Sequence, residues 1–447
     1  MQKLGFGVIG IVLVAIIYYF TTGSAQITEE MKMRVNTELT MIEQNGFVIE
    51  EREIKAKKEH FVLSFDDPEK MMKFFKQQGS EIALEDVQSL KGMKIGVDLQ
   101  YLNDTYSALS VDMYPLNLPL SITDTKDLEE ADKALIKQLN DMLKRKALLV
   151  HVDFNKLLSS FKGYVKDIHE TFKTETQIKM DLEGATFEGT IKEDRIHTLS
   201  QSIKNIRLNA EDELDIIFGN VKTNYTLNGK SIYDSTSSYT LESIKLSGKK
   251  EKNTYSFTAN TIKGSNETSV ENDLASNKIK LSVSDIEIKD NAQKTKLMHT
   301  TFTFNVGNLD MNILKKLEEA DVTKEEEINK LVQALISKGI TMEIPLFEVK
   351  KLEYLEKKID GFSLTSSFQV NKSANLAQIQ ANPFAALSAV NTKTKLTLSD
   401  ALFTIIAQDP RAMMLAMIIQ PKVVNGKKVY ELELKDGKLT VNGQGML

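Results

Sequence analysis

Strict alternation of apolar and polar residues dominates this chain. "GFVIEEREIKAKKEHFVLSF" at 46–65 reads as two strands, and "GMKIGVDLQYL" at 92–102 and "YSALSVDMYPLNLPL" at 106–120 as two more, separated by Asn103-Asp104. Alternation fills 177–308 almost without interruption. It returns in "TMEIPLFEVKKLEYL" from 341 and "GFSLTSSFQVNK" from 361, and in the closing "KKVYELELKDGKLTVNGQGML", where Asp436-Gly437 supplies a hairpin turn. A period of two places one residue set on each face of a sheet, so this is half-buried antiparallel structure.

Helical periodicity is local. Residues 27–44, "ITEEMKMRVNTELTMIEQ", favour a helix that Asn45-Gly46 should end, and Pro68 opens a short helix over 68–78 that Gly79 should cap. Leu128, Leu135, Leu139 and Leu143 share one side of a predicted helix at 127–146. Phe154, Leu157, Leu158, Phe161, Val165, Ile168 and Phe172 fall at i, i+3, i+4, i+7 spacing, which predicts another from Asp153 onward. A helical block is expected after Asp310, with Thr323 and Glu326 as a capping box ahead of Ile328, Leu331, Val332 and Leu335 and with Gly339 as the stop. The apolar segment 399–419 is broken by Asp409-Pro410-Arg411, a charged interruption unsuited to a membrane span, and reads as two core helices meeting at the proline.

The β-rich middle also repeats. "NIRLN" at 205, "SIKLS" at 243 and "DIEIK" at 285 are each followed by a turn-like segment and a second run, at spacings of 38 and 42 residues. Either a hairpin unit recurs and extends one long, twisted sheet, or ordinary meandering strands look alike because both alternate.

The run from Leu4 to Phe20 has no charge and approaches the length of a membrane span. Its Tyr18, Tyr19 and Phe20 suit a lipid–water interface, so a retained helix is expected; cleavage after Ala25 in Gly23-Ser24-Ala25 is the alternative. Lys3 lies before the run and Glu29 and Glu30 after it, which predicts a cytoplasmic N-terminus and an exported body. Gly5, Gly7 and Gly10 spell a dinucleotide-binding fingerprint, but only four residues precede Gly5, leaving no room for the strand that motif requires.

Composition narrows the chemistry. The 447 residues are 41% hydrophobic, enough for sizeable cores, and the net charge of −5 argues against nucleic acid as a partner. Having no cysteine excludes disulfides, thiolate nucleophiles and cysteine-held metals, and having no tryptophan argues against a carbohydrate-stacking platform. His60, His151, His169, His197 and His299 show no metal-binding spacing. "NGKS" at 228–231 ends like a phosphate-binding loop but has Asn224 where glycine is needed, and "KEEEINK" at 324 is explained as an acidic helix start. No G-x-S-x-G elbow is present. No catalytic, cofactor-binding or metal-binding residue is therefore assigned.

The N-terminal run with "YYFTTGSAQITEEMKMRVNTELTMIEQNGFVIEERE", the repetitive middle and the closing "LKDGKLTVNG" together resemble the YdgA family of bacterial envelope proteins. The resemblance implies inner-membrane anchoring and periplasmic exposure, and no known activity. The expected fold is α+β: one N-terminal transmembrane helix, then a β-rich periplasmic body with a long antiparallel sheet and flanking helices. Its expected regions are an anchor at 1–26, α+β structure at 27–176, repetitive sheet at 177–309 and α+β structure at 310–447. The expected localisation is single-pass in a bacterial inner membrane. The expected role is that of a non-enzymatic interaction or assembly protein without cofactors, whose partners are the membrane, through the N-terminal helix, and envelope proteins or lipid. The alternatives are a lipid-binding protein with a curved sheet groove, and a hydrolase built from scattered residues. Oligomeric state stays open.

Overall fold

The computed structural model describes residues 29–77, 84–102, 106–123, 129–173, 176–193, 195–211, 213–229, 234–250, 253–291, 293–320, 324–382 and 384–446. The chain divides into two compact units, one ending at Thr226 and one from Leu227 to Leu447.

The N-terminal unit begins with α1 (Glu29–Gln44), stopped at Gly46 with φ +94° as the Asn45-Gly46 signal predicts. Strands β1 (Phe47–Ile54) and β2 (Lys58–Phe65) follow, then α2 (Pro68–Gln77) and α3 (Leu84–Ser89), then β3 (Lys94–Tyr101) and β4 (Ser107–Pro115). After α4 (Leu120–Thr123) and α5 (Glu130–Lys144) come β5 (Val150–Asn155), β6 (Ser160–Val165), β7 (Ile168–Lys173), β8 (Gln177–Glu183), β9 (Ala185–Lys192), β10 (Arg195–Ala210) and β11 (Leu214–Leu227). β1 to β6 pair antiparallel in chain order, β6 then pairs with β9, and β9 with β10. The core lies on one face: Val35, Leu39 and Ile42 of α1, with Met71, Phe74 and Phe75 of α2, pack onto Phe61, Leu63, Val97, Met113 and Val152. Glu59 enters this region with its carboxylate held by Arg52 Nε at 2.6 Å and by the Tyr101 hydroxyl at 2.9 Å, which compensates for burying it.

The helix expected over 153–172 does not form. Phe154 and Phe161 are a registered pair across β5 and β6, joined by a turn in which Leu158 takes φ +51°, and the chain continues as β7. The segment 160–192 is one long interrupted hairpin, β6 on β9 and β7 on β8, in which the Gly184 N–H donates to Asp167 where the strands break. Strands separated by tight turns reproduced a helical spacing by coincidence.

The C-terminal unit runs β12 (Ser235–Lys250), β13 (Asn253–Glu271), β14 (Leu274–Asp290), β15 (Gln293–Asp310), α6 (Met311–Glu319), α7 (Glu325–Ile336), β16 (Thr341–Tyr354) and β17 (Lys357–Val370). It closes with α8 (Leu376–Ala381), α9 (Ala385–Ala389), β18 (Val390–Ser399), α10 (Asp400–Ile406), α11 (Pro410–Ile418), β19 (Lys422–Val424), β20 (Lys427–Lys435), β21 (Lys438–Val441) and β22 (Gln444–Gly445). β12 to β18 pair antiparallel in chain order and β18 continues onto β20. Asp310 caps α6 by accepting from the N–H groups of Asn312 and Ile313. The helix over 325–336 is capped at Lys324 without a side-chain hydrogen bond, and Thr323 of the expected capping box lies outside the described residues. Asp409-Pro410 does separate two helices, but Met413 and Met414 of α11 are more than half exposed and form no core.

The expected N-terminal transmembrane helix is corrected. Among the described residues no helix is long and apolar enough to cross a membrane, and the run from Leu4 to Phe20 lies outside them. The fold on which the function must rest is the β-rich body with packed and flanking helices. Single-pass inner-membrane localisation has no helix among the described residues to carry it and is not retained.

Candidate functional site

The long strands of the C-terminal unit are creased along a single row. Glu242 and Thr261, Ser284 and His299, Lys350 and Gly361 occupy it, and the register of each strand pair from β12 to β17 steps over it. Thr261 and His299 there take φ +51° and +54°, a left-handed conformation uncommon outside glycine and exceptional for a β-branched threonine. A β-carbon on Gly361 would collide with the carbonyl of Val349, so the row demands glycine at that strand.

The crease reverses which residues face inward. Below it lies the row Leu241–Ile262–Val283–Thr300–Val349–Phe362, above it the row Ile244–Ala259–Ile286–Leu297–Leu352–Ile359. Continued alternation would put residues three apart on opposite faces, yet Leu241 and Ile244, Ala259 and Ile262, and Val283 and Ile286 belong to one apolar cluster. Glu242, Thr261, His299 and Lys350 have exposed side chains. The two apolar rows therefore converge on one face. A further row, Leu281–Phe302–Phe347–Leu364, widens it, with Phe302 and Phe347 edge to face at 5.8 Å and Phe347 and Phe362 at 5.1 Å.

This face is only partly covered. Ala259, Ile262 and Val283 are buried, whereas Leu241, Ile244, Phe257, Leu281 and Ile286 remain half-buried. Thr300 sits in the apolar row, and its Oγ1 is the one buried side-chain polar atom among the described residues without a hydrogen-bond partner. The opposite face is charged. Lys296 reaches Asp285 at 3.2 Å, Lys289 and Lys294 both reach Glu287, and Lys351 reaches Asp360 at 2.6 Å. The ammonium groups of Lys289 and Lys294 hold the Glu287 carboxyl below its ordinary range against the opposing effect of desolvation.

The recurring "SIKLS" and "DIEIK" start at Ser243 and Asp285, which share the register row Ser243–Asn260–Asp285 immediately above the crease. "NIRLN" in β10 has the same local setting. Lys204 and Asn220 are stepped over, Asn220 has φ +54°, and Ile203/Ile206 and Phe218/Val221 flank the break. The repeat thus marks a structural event at one point of alternate strands. Its sequence signal, an apolar pair spaced by three inside an alternating strand, is visible in the chain, although alternation alone does not point to it.

The histidines do other work. His60 Nδ1 meets Asp98 at 2.6 Å, His151 Nδ1 meets Asp112 at 2.7 Å, and His169 Nδ1 meets Asp181 at 2.9 Å, each a directly opposed cross-strand pair. His60, Asp98, Asp112 and His151 lie in one row across β2 to β5. His197 lies in β10 and His299 in the crease. Burial pushes the Asp98 carboxyl up, but hydrogen bonds from His60, Tyr114 and Lys146 outweigh it and hold the group below its usual range. Among the described residues no group of three or more histidine or carboxylate side chains could hold a metal ion. His151 Nε2 lies 3.3 Å from Asp153, so both ring nitrogens face carboxylates and neither is presented to a hydroxyl nucleophile. In "NGKS", Asn228 and Gly229 follow β11 and precede Asp234, whose carbonyl accepts from both their N–H groups, while Lys230 and Ser231 lie outside the described residues.

No protein-family model matches the chain and no curated protein matches it, so the resemblance to the YdgA family rests on its sequence markers alone.

Proposed function

We propose that this is a non-enzymatic binding protein that holds an elongated apolar molecule of the lipid class against the creased face of the C-terminal unit. The observation that carries the reading is the convergence of two registered apolar rows on one half-buried face while the other face carries ion pairs. Six inter-strand steps from Leu241 to Leu398 at about 4.8 Å give a stripe roughly 29 Å long, suited to a chain-like occupant lying across the strands. Ile262, Val283, Val349 and Leu398 form the buried floor of this stripe, and the half-buried Leu241, Ile244, Leu281 and Ile286 supply the apolar surface that an occupant would remove from water.

An assembly role through strand addition has less support. Among the described residues β1 pairs with β2 alone, and its edge carries Glu50, Glu51, Arg52 and Glu53 with a register irregularity at Glu51, features that oppose edge-to-edge pairing. The direct test is mass spectrometry of organic extracts of the purified full-length protein beside its Ile262→Glu variant, with circular dichroism as the folding control. Enrichment of one lipid class in the wild type and its loss in a folded variant supports the reading. Identical extracts remove it.

A further inference from the structure

A second surface, in the N-terminal unit and independent of the apolar face, has the make-up of a ligand site. A concavity of about 550 Å³ opens over β5, β6, β9, β10 and β11. The residues that point into it form two register rows on the side of the sheet opposite Val152, Phe154 and Phe161 of the core. One row runs His151–Tyr164–Thr186–Ser202–Lys222, the other Asp153–Lys162–Glu188–Ser200–Asn224. Four inter-strand steps make the site about 19 Å long.

Its chemistry is mixed and balanced. Lys162 and Lys222 offset Asp153 and Glu188, so the lining has no net sign with which to select a phosphate or a polyamine. Ser200, Ser202, Thr186 and Asn224 add groups that both donate and accept hydrogen bonds. Several are already positioned: His151 is fixed at both nitrogens and stacks on Tyr164 at 4.9 Å, and Ser200 donates to Asn224 at 2.9 Å. Tyr164 is 45% exposed and offers an apolar ring face with a polar tip.

We propose that this concavity binds a neutral polyhydroxylated ligand, an oligosaccharide, laid across the five strands. Many hydroxyls that donate and accept in the same molecule match a lining that offers both donors and acceptors on every strand, and a ligand without charge matches a lining without net charge. Tyr164 supplies the ring surface that the absence of tryptophan argued against.

The test is titration calorimetry of the full-length protein with cellohexaose, maltohexaose and chitohexaose, and with ATP and spermine as charged comparators. The expected result is saturable binding of at least one hexasaccharide, weakened about tenfold or more by Tyr164→Ala and by the exposed-site variant Lys222→Ala. Ile262→Glu in the C-terminal unit should leave it unchanged, which separates this site from the lipid reading. Absence of binding by all three hexasaccharides, tighter binding of ATP or spermine, or unchanged affinity in both site variants would overturn the proposal.

Discussion

The two units use the same alternating code and finish it differently. In the N-terminal unit the inward residues of β2 to β5 are sealed: Phe61, Ile95, Val97, Met113 and Val152 have no exposed surface, because α1 and α2 lay Val35, Leu39, Ile42, Met71, Phe74 and Phe75 over them. In the C-terminal unit the inward residues of β12 to β17 form equally regular rows, yet Leu241, Ile244, Leu281 and Ile286 stay half-buried. Alternation decides which face is apolar, and the supply of a helix with a complementary stripe decides whether that face is sealed as a core or stays half-buried.

The sharpest way to break this contrast is truncation on both faces. Phe61→Ala, which leaves a void in a sealed core, should cost about 3–5 kcal/mol in denaturant unfolding of the N-terminal unit. Leu281→Ala should cost only about 1 kcal/mol, since much of that side chain is not removed from water in the first place. Equal costs would mean that the C-terminal face is covered in solution, and the lipid reading would go with the contrast.

The crease offers two smaller tests in which a substitution should stabilise. The Thr300 hydroxyl, buried without a partner between Val283 and Val349, is unfavourable by about 1–3 kcal/mol relative to a methyl of the same shape. Thr300→Val should therefore raise the stability of the C-terminal unit by about 1 kcal/mol, and a loss of stability would show that the hydroxyl has a partner. At Thr261 the left-handed backbone costs roughly 1–2 kcal/mol, while glycine in a strand costs roughly 0.5–1 kcal/mol of entropy. The strain exceeds the entropy cost, so Thr261→Gly should gain about 0.5 kcal/mol. Destabilisation on thermal unfolding would mean that the exposed threonine side chain contributes contacts that outweigh the strain.

Much of this architecture can be read from the chain, and the limits have physical causes. Alternation located the strands, and Gly46 and Asp436-Gly437 located turns whose positive φ values the structure bears out. The segment 153–172 misled because Phe154 and Phe161 face each other across a turn, a separation of seven that two strands and a helix both produce. The candidate face was half legible. "SIKLS" and "DIEIK" gave the repeat, but the convergence of Ala259 with Ile262 depends on the left-handed Thr261 between strand halves, Val283 and Ile286 meet across Ser284 in the same crease without such a residue of their own, and threonine does not announce that conformation as glycine would. The His151–Asp112 and His60–Asp98 pairs were invisible because each joins residues about forty apart through strand register.

The smallest effect concerns a junction between the sheet and its flanking helices. Asp310 ends β15, caps α6 through the N–H groups of Asn312 and Ile313, and lies 2.9 Å from Lys338, which follows α7. The Lys338 ammonium, together with the two N–H donors, holds the Asp310 carboxyl below its ordinary range despite partial desolvation. A depressed folded-state pKa adds stability above the unfolded value, near pH 4, that is lost as the pH falls through the lower folded value. Asp310→Asn retains a good capping residue and removes only the charge, so at pH 7 it should cost about 0.5 kcal/mol. Unfolding curves of variant and wild type should converge below about pH 4 and diverge above it. A difference that stays constant from pH 7 to pH 2 would show that Asp310 acts as a neutral cap, and that the helices beside the apolar face are docked by packing alone.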